Sequence, residues 1–385
     1  MPELPNVLII SESPFCLDNG FGVTKLNLFQ NWPSESLAIL YTRKFKNVLK
    51  DRCYKNKYLR FYPQNRKYKL MYNFGLLSSY GLIFSKKWVK TFLKDWKPQI
   101  IYSFVSCFYT FEYTKWLKEN LGIPVVIHFA DDFPQLDNQK KETIKFLLSC
   151  EQVFCVSDLM KEEYYRRYNV LSKVLYNGAS QPFFYTHATK NSQKQFKIRY
   201  LGTLQNNAHF ESIEDIVETL LILNRENSIE ITFEIFGGEW TAPEAEKLAR
   251  CPFVYYRGAV SHEKAPYILK SANLLLIPIT FSPINQIHYK FSFPTKFAQY
   301  LATGTPTLIY GPTGSALVEY CIKHSVGIIQ KERSVDSLKT KINSIINNYS
   351  KYADDAISAT NHVKQRMSAT GMKELFQNTL IKVSS

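Results

Sequence analysis

The stretch FSFPTKFAQYLATGTP, residues 291 to 306, puts a lysine where a helix should begin. Pro294 and Thr295 predict the helix start, and Gly304 and Pro306 its end. The free N–H groups of a helix start already favour an anion. Lys296 in that first turn is out of place electrostatically unless something doubly negative shares the position. The amide groups, the Thr295 hydroxyl and Lys296 then converge on one point, which suits a diphosphate. Gln299 lies on the same side by the i, i+3 rule, where a hydroxyl pair such as a ribose is within its reach. The bland alternative is a surface helix with a solvated lysine.

Other chemistry-bearing residues follow short apolar runs. After PVVIHF comes ADDFPQ, with His128, Asp131 and Asp132 together. An imidazole and two carboxylates at the mouth of a cleft suit acid/base work or a grip on sugar hydroxyls. The alternatives are a hydrogen-bonded strand-end histidine and an aspartate pair capping a helix. Gly20 and Gly22 form a glycine-rich turn before a helix pattern near Val23, able to offer N–H groups to a phosphate or sugar, or to be a plain turn. No GxxxxGK[ST] stretch occurs. Gly202 and Thr203 stand at another strand-to-helix turn. Gly237 and Gly238 leave bare backbone where a base could pack, and Arg257 closes a further strand.

These residues need a scaffold that brings strand ends together. Candidate strands are residues 6–11, 36–41, 99–104, 124–129 and 151–157, with a short one at 173–177. A second series covers 196–202, 229–238, 253–258, 273–279, 305–311 and 326–330. Helical patterns alternate with them, which predicts parallel, doubly wound sheets. The expected organisation is two tandem Rossmann-like α/β domains facing a cleft. The N-terminal, acceptor-side domain covers 1–180 and a linker 181–194. A donor domain covers 195–348, and a helical tail 349–385 is one long pattern. In such sheets ligands bind beyond the carboxyl ends of the strands.

Composition narrows the classes. The chain has 385 residues and a net charge of +15. From Arg43 to Lys97 there are sixteen Lys/Arg against two Asp/Glu, interleaved with aromatics. That segment, 43–97, is expected to face an anionic membrane surface rather than nucleic acid, since no nucleic-acid motif accompanies it. A solvated face over an aromatic core is the alternative. Seven scattered cysteines with no CxxC pair argue for reduced thiols and against a metal site. No secretory leader and no membrane-length apolar run is read, so a cytoplasmic protein, peripheral at the inner membrane face, is expected.

PTKFAQYLATGTPTLIYGP, with Thr295, Lys296, Tyr300, Gly304 and Pro306, resembles the motif of family 4 glycosyltransferases of the GT-B fold, especially bacterial cell-surface polysaccharide enzymes. NGFGVT looks like that family's glycine loop and HFADDFP like its His-x-x-Asp-Asp stretch. The resemblance spans nearly the whole chain. It implies a retaining, metal-independent transfer of a sugar from a nucleotide-sugar co-substrate, with no other cofactor, to a lipid-linked or glycan acceptor. Donor contacts would come from Gly202, Thr203, Gly237, Arg257, Lys290, Thr295, Lys296 and Gln299. His128, Asp131 and Asp132 would orient the donor sugar or take the acceptor proton, and the tail would cross back to the first domain. Two family glutamates are replaced by Phe291 and Gln299, and Thr203 and Ala208 stand where many members place Arg and Lys. Lys296 then carries most of the phosphate charge, helped by Lys290 or Arg257. A non-catalytic homologue that binds a nucleotide or a partner enzyme, and a nucleotide-sugar epimerase, are the alternatives.

Overall fold

The computed structural model describes residues 4–17, 19–43, 48–58, 89, 91–185, 195–202, 204, 209–226, 228–237, 248 and 250–385. Most of the basic segment, the expected linker from 186 onward, Thr203, Ala208 and Gly238 lie outside these residues. The chain divides into two units. Unit 1 is Met1–Val156, Met160–Leu175 and Lys373–Ser385; unit 2 is Ser157–Leu159 and Tyr176–Met372.

Unit 1 holds β1 (Val7–Ser11), β2 (Leu37–Tyr41), β3 (Lys55–Tyr58), β4 (Ile100–Val105), β5 (Val125–Phe129), β6 (Gln152–Cys155) and β7 (Ser172–Val174). They form one parallel sheet in the order β3-β2-β1-β4-β5-β6-β7. Every residue of β1, β2, β4 and β5 is buried, which their continuous apolar runs dictate for a sheet covered on both faces. The helices are α1 (Gly20–Leu28), α2 (Phe108–Leu121), α3 (Gln135–Asn138), α4 (Lys140–Leu148) and α5 (Asp158–Tyr168). The strand KNKY is absent from the sequence expectation because it carries no apolar run. Among the described residues it pairs with β2 alone, at a sheet edge where charge is tolerated.

Unit 2 holds β8 (Gln195–Leu201), β9 (Glu230–Phe236), β10 (Val254–Gly258), β11 (Leu274–Pro278), β12 (Thr307–Tyr310) and β13 (Ile328–Gln330). Its parallel order is β10-β9-β8-β11-β12-β13. Its helices are α6 (Phe210–Glu226), α7 (Ala265–Lys270), α8 (Pro283–Tyr289), α9 (Phe297–Ala302), α10 (Ala316–His324), α11 (Val335–Asn347), α12 (Tyr349–Arg366) and α13 (Ala369–Ser384), the last of which ends in unit 1. Phe210, Ile213, Ile216, Val217, Leu220 and Leu223 recur every three or four residues along α6. They pack with Leu338, Ile342 and Ile345 of α11 on the sheet.

Three further elements differ from the sequence reading. The helix expected from Thr295 starts at Phe297, with Lys296 as its N-cap. The helix α8 precedes it, where the sequence reading starts no helix until Thr295. The tail is two helices. The backbone leaves helical geometry at Met367 and Ser368 because Ala179 claims its hydrogen bonds: Ala179 N–H donates to Met367 C=O, and Ala369 N–H to Ala179 C=O, both at 2.8 Å.

Unit 1 is completed by an aromatic cluster from distant parts of the sequence. Phe376 packs edge-on against Tyr102 (4.8 Å between centroids) and Phe29 (5.0 Å). His128 belongs here rather than at an open strand end. It is 1% exposed, and the parallel register sets it beside Phe104 and Phe154. Its Nδ1 bonds the Tyr102 hydroxyl at 3.0 Å. Burial holds its pKa down at about 3, with Lys25 adding to the effect and the Leu175 backbone opposing it. A group so placed does not trade protons with a substrate near neutral pH.

Phe376→Ala should cost ~3–5 kcal/mol, seen as loss of unit 1 in thermal unfolding followed by near-UV circular dichroism. His128 generates a pH signature. The unfolded chain takes up its proton below about 6.5, the folded one only near 3. Stability should therefore fall as the pH drops through that window, by on the order of 3–5 kcal/mol from this group. His128→Phe should flatten that part of a denaturation-versus-pH curve.

Candidate functional site

In unit 2 the strand order reverses between β8 and β11, and the residues that follow these two strands meet. Such a switch point leaves a crevice at the carboxyl ends where ligands bind in open α/β sheets. β8 ends at Leu201, and Gly202 N–H donates to Phe236 C=O at 2.7 Å, which sets it level with the end of β9. A Cβ on Gly202 would lie 2.3 Å from Lys296 Nζ and 2.4 Å from the Tyr200 hydroxyl. Only a bare backbone lets those two groups converge there.

The chain leaving β11 is pinned by Glu211 on α6. Its Oε1 accepts from the Thr280 hydroxyl (2.5 Å) and from the Phe281 and Ser282 N–H groups (3.0 Å each). α9 is tied to β8 by Tyr300, whose hydroxyl accepts from Leu201 N–H at 2.7 Å. These ties deliver Lys296, the α9 N-cap, to Gly202. Its Nζ sits 4.2 Å from the centroid of the Tyr200 ring. Tyr200 is 1% exposed, and its hydroxyl bonds His209 Nε2 at 2.7 Å. Burial alone lowers the Lys296 pKa to about 7, and among the described residues no carboxylate pairs with it.

The other expected donor contacts divide. Thr295 adjoins Lys296, and both Thr295 and Gln299 are partly exposed. Gly237 lies at the next strand end, its N–H donating to Gly258 C=O at 3.0 Å. Arg257 is not a spare cation. It bonds Glu234 Oε1 (2.8 Å), whose other oxygen holds Arg199 at 2.6 Å. The two guanidiniums hold the Glu234 carboxyl below its ordinary pKa against the opposing effect of burial. Lys290 closes α8, with Nζ 5.4 Å from the Phe291 ring centroid. Phe291 is buried.

In unit 1 the switch point lies between β1 and β4. Gly20 and Gly22 belong to α1 itself, and Gly22 N–H is taken by the Asn19 cap at 2.8 Å. Gly22 is glycine because a Cβ would sit 2.3 Å from Cys16 C=O. The charged group at this turn is Lys25. It is fully buried, and its Nζ donates to Ser13 Oγ (2.9 Å), Phe21 C=O (2.9 Å) and Ser11 Oγ (3.0 Å). Burial lowers its pKa to about 7, opposed by the nearby charges of Cys16 and Glu12. Asp132 is buried in an ion pair with Arg167 at 2.7 Å, and Asp131 beside it is partly exposed.

The sequence reading passed over Tyr200, Glu211 and Lys25, and took His209 only as a polar group after the first strand of the second series. Tyr200 is one of two aromatic residues in the mixed strand QFKIRYL. Lys25 left one trace: it stands as a lone cation within GFGVTKLNLF. Among the described residues, no group of three or more His, Cys, Asp or Glu could hold a metal ion, and no helix is long and apolar enough to cross a membrane.

No protein-family model matches the chain, and no curated protein matches it in sequence. Solved structures match it closely in shape. Anabaena HepE, determined in complex with UDP and glucose, is 14% identical with a TM-score of 0.70, over 98% of this chain and 99% of that one. Sucrose-phosphate synthase from Thermosynechococcus elongatus is 12% identical with a TM-score of 0.70, over 96% and 97%. WaaG, a glycosyltransferase involved in lipopolysaccharide biosynthesis, is 12% identical with a TM-score of 0.64, over 96% and 99%. With its two parallel-sheet α/β units, the chain has the GT-B fold.

Proposed function

We propose that this protein is a glycosyltransferase that takes a sugar from a nucleoside-diphosphate donor bound on unit 2. The observation that carries the reading is Lys296. It is an ammonium without a carboxylate partner among the described residues, delivered to a glycine at the switch point of the sheet. A diphosphate supplies the missing counter-charge, and Gly202 leaves it room to approach the backbone. Thr295 and Gln299, partly exposed beside it, would bond its oxygens and the ribose in this reading. As the donor bond breaks, negative charge grows on the leaving diphosphate, and a pre-positioned ammonium stabilises it. Lys296 fills the role that a metal ion fills in other transferases, so the transfer is metal-independent in this reading. HepE, solved with UDP-glucose, supports a nucleotide-sugar ligand. Retention of configuration, a lipid-linked or glycan acceptor, a role in surface polysaccharide synthesis and a place at the inner membrane face follow the family resemblance.

One observation favours a second reading, a non-catalytic nucleotide-binding homologue. His128 is in the core and Asp132 is spent on Arg167, so two of the three expected acid/base groups are occupied. Turnover of a nucleotide sugar decides between the two readings.

Lys296→Ala should weaken binding of UDP, ADP or GDP, whichever the wild type prefers, by at least ~10-fold in calorimetric titration, the scale of one lost charged hydrogen bond. Its melting temperature should be little changed. Wild-type affinity should fall as the pH rises through about 7, because the lysine must be protonated to hold the anion. Undiminished binding by the variant would remove the assignment.

A further inference from the structure

Building on the nucleotide reading above, the geometry points to Tyr200, held by His209, as a positioning residue that keeps the Lys296 ammonium charged and aimed over Gly202. Among the described residues, the groups around that ammonium are few. From β8 it meets the face of Tyr200, 4.2 Å away. On its own helix Tyr300 stands one turn on, but that hydroxyl is committed to the Leu201 backbone. From the start of α6, His209 reaches the site through the Tyr200 hydroxyl. None of these is an anion.

A cation removed from water without a carboxylate sheds its proton unless another electrostatic partner favours the charge. The negative face of an aromatic ring is such a partner, and it strengthens on desolvation. Tyr200 serves better than Phe would. With the hydroxyl taken as the donor to His209 Nε2 in this 2.7 Å bond, the phenol oxygen gains negative character and the ring face becomes more electron-rich. His209 then carries its proton on Nδ1. The same bond fixes the ring in one plane, so the ammonium is held at one point while the site is empty of ligand. A carboxylate there would hold the charge more firmly and would also compete with a diphosphate. A π face holds it without competing.

The test measures two things on the full chain: the titration midpoint of Lys296 without ligand, by NMR of 13C-methylated lysines, and affinity for UDP, ADP and GDP across pH. Lys296→Arg assigns the resonance. Tyr200→Leu should lower the midpoint, shift the alkaline loss of affinity to lower pH, and weaken binding up to ~30-fold at neutral pH, the upper range of a desolvated cation–π contact. Tyr200→Phe and His209→Gln, which keep the packing, should each lower the midpoint slightly and weaken binding about 3-fold. Combined, they should do no more than either alone, because both break one bond. An unmoved midpoint in Tyr200→Leu overturns the proposal; if that variant does not fold, unmoved midpoints in both milder variants do so. If the midpoints move as expected while the wild type binds none of the three nucleotides, the positioning role stands and the nucleotide reading falls.

Discussion

An ammonium group can leave water only if its N–H bonds or its charge are met inside the protein. Among the described residues, one lysine stands beside the switch point of each sheet, Lys25 fully buried and Lys296 partly so, and they meet that constraint in opposite ways. Lys25 spends its three N–H donors on two serine hydroxyls and a carbonyl, and so works as an internal tie for the turn after β1. Lys296 has an aromatic face and a glycine beneath it and no anion among the described residues. One lysine is finished by the fold; the other awaits a counter-charge from outside. The site depends on that difference, and so do Glu211 and Tyr300, which fix the loop and the helix that carry Lys296.

The architecture follows from patterns open to simple reading. Runs such as VLIIS and LLLIP are buried on both faces, and only a parallel sheet with helices on each side does that to so many strands. What escaped was local. KNKY looks like a surface loop because an edge strand needs no apolar face. The tail looks like one helix because its periodicity runs through Met367, and the break is imposed by the backbone of Ala179, far off in sequence.

The site was legible in part for a related reason. Lys296 declares itself by charge and position, and Gly202 by lying after a strand. Tyr200 does not, since its role comes from a register that places it beneath a residue nearly a hundred positions later. His128 shows the reverse error. It stands one residue before the end of β5, where a polar side chain suggests an opening, yet both faces of this strand are covered and the side chain is buried. Arg257 misleads similarly, because Glu234, which neutralises it, sits on the neighbouring strand.

Phe376 also bears on how the molecule is made. Its ring fills the core of unit 1 among Phe29, Tyr102 and Phe154, but it is translated after every strand of unit 2. The half of the protein that leaves the ribosome first is thus the half that closes last, and it must wait with an unsealed aromatic hollow while the other half is synthesised. Such an exposed hollow invites chaperones and misassociation during synthesis. The lysines and arginines concentrated in that same early half would help keep nascent chains apart by mutual repulsion until the plug arrives.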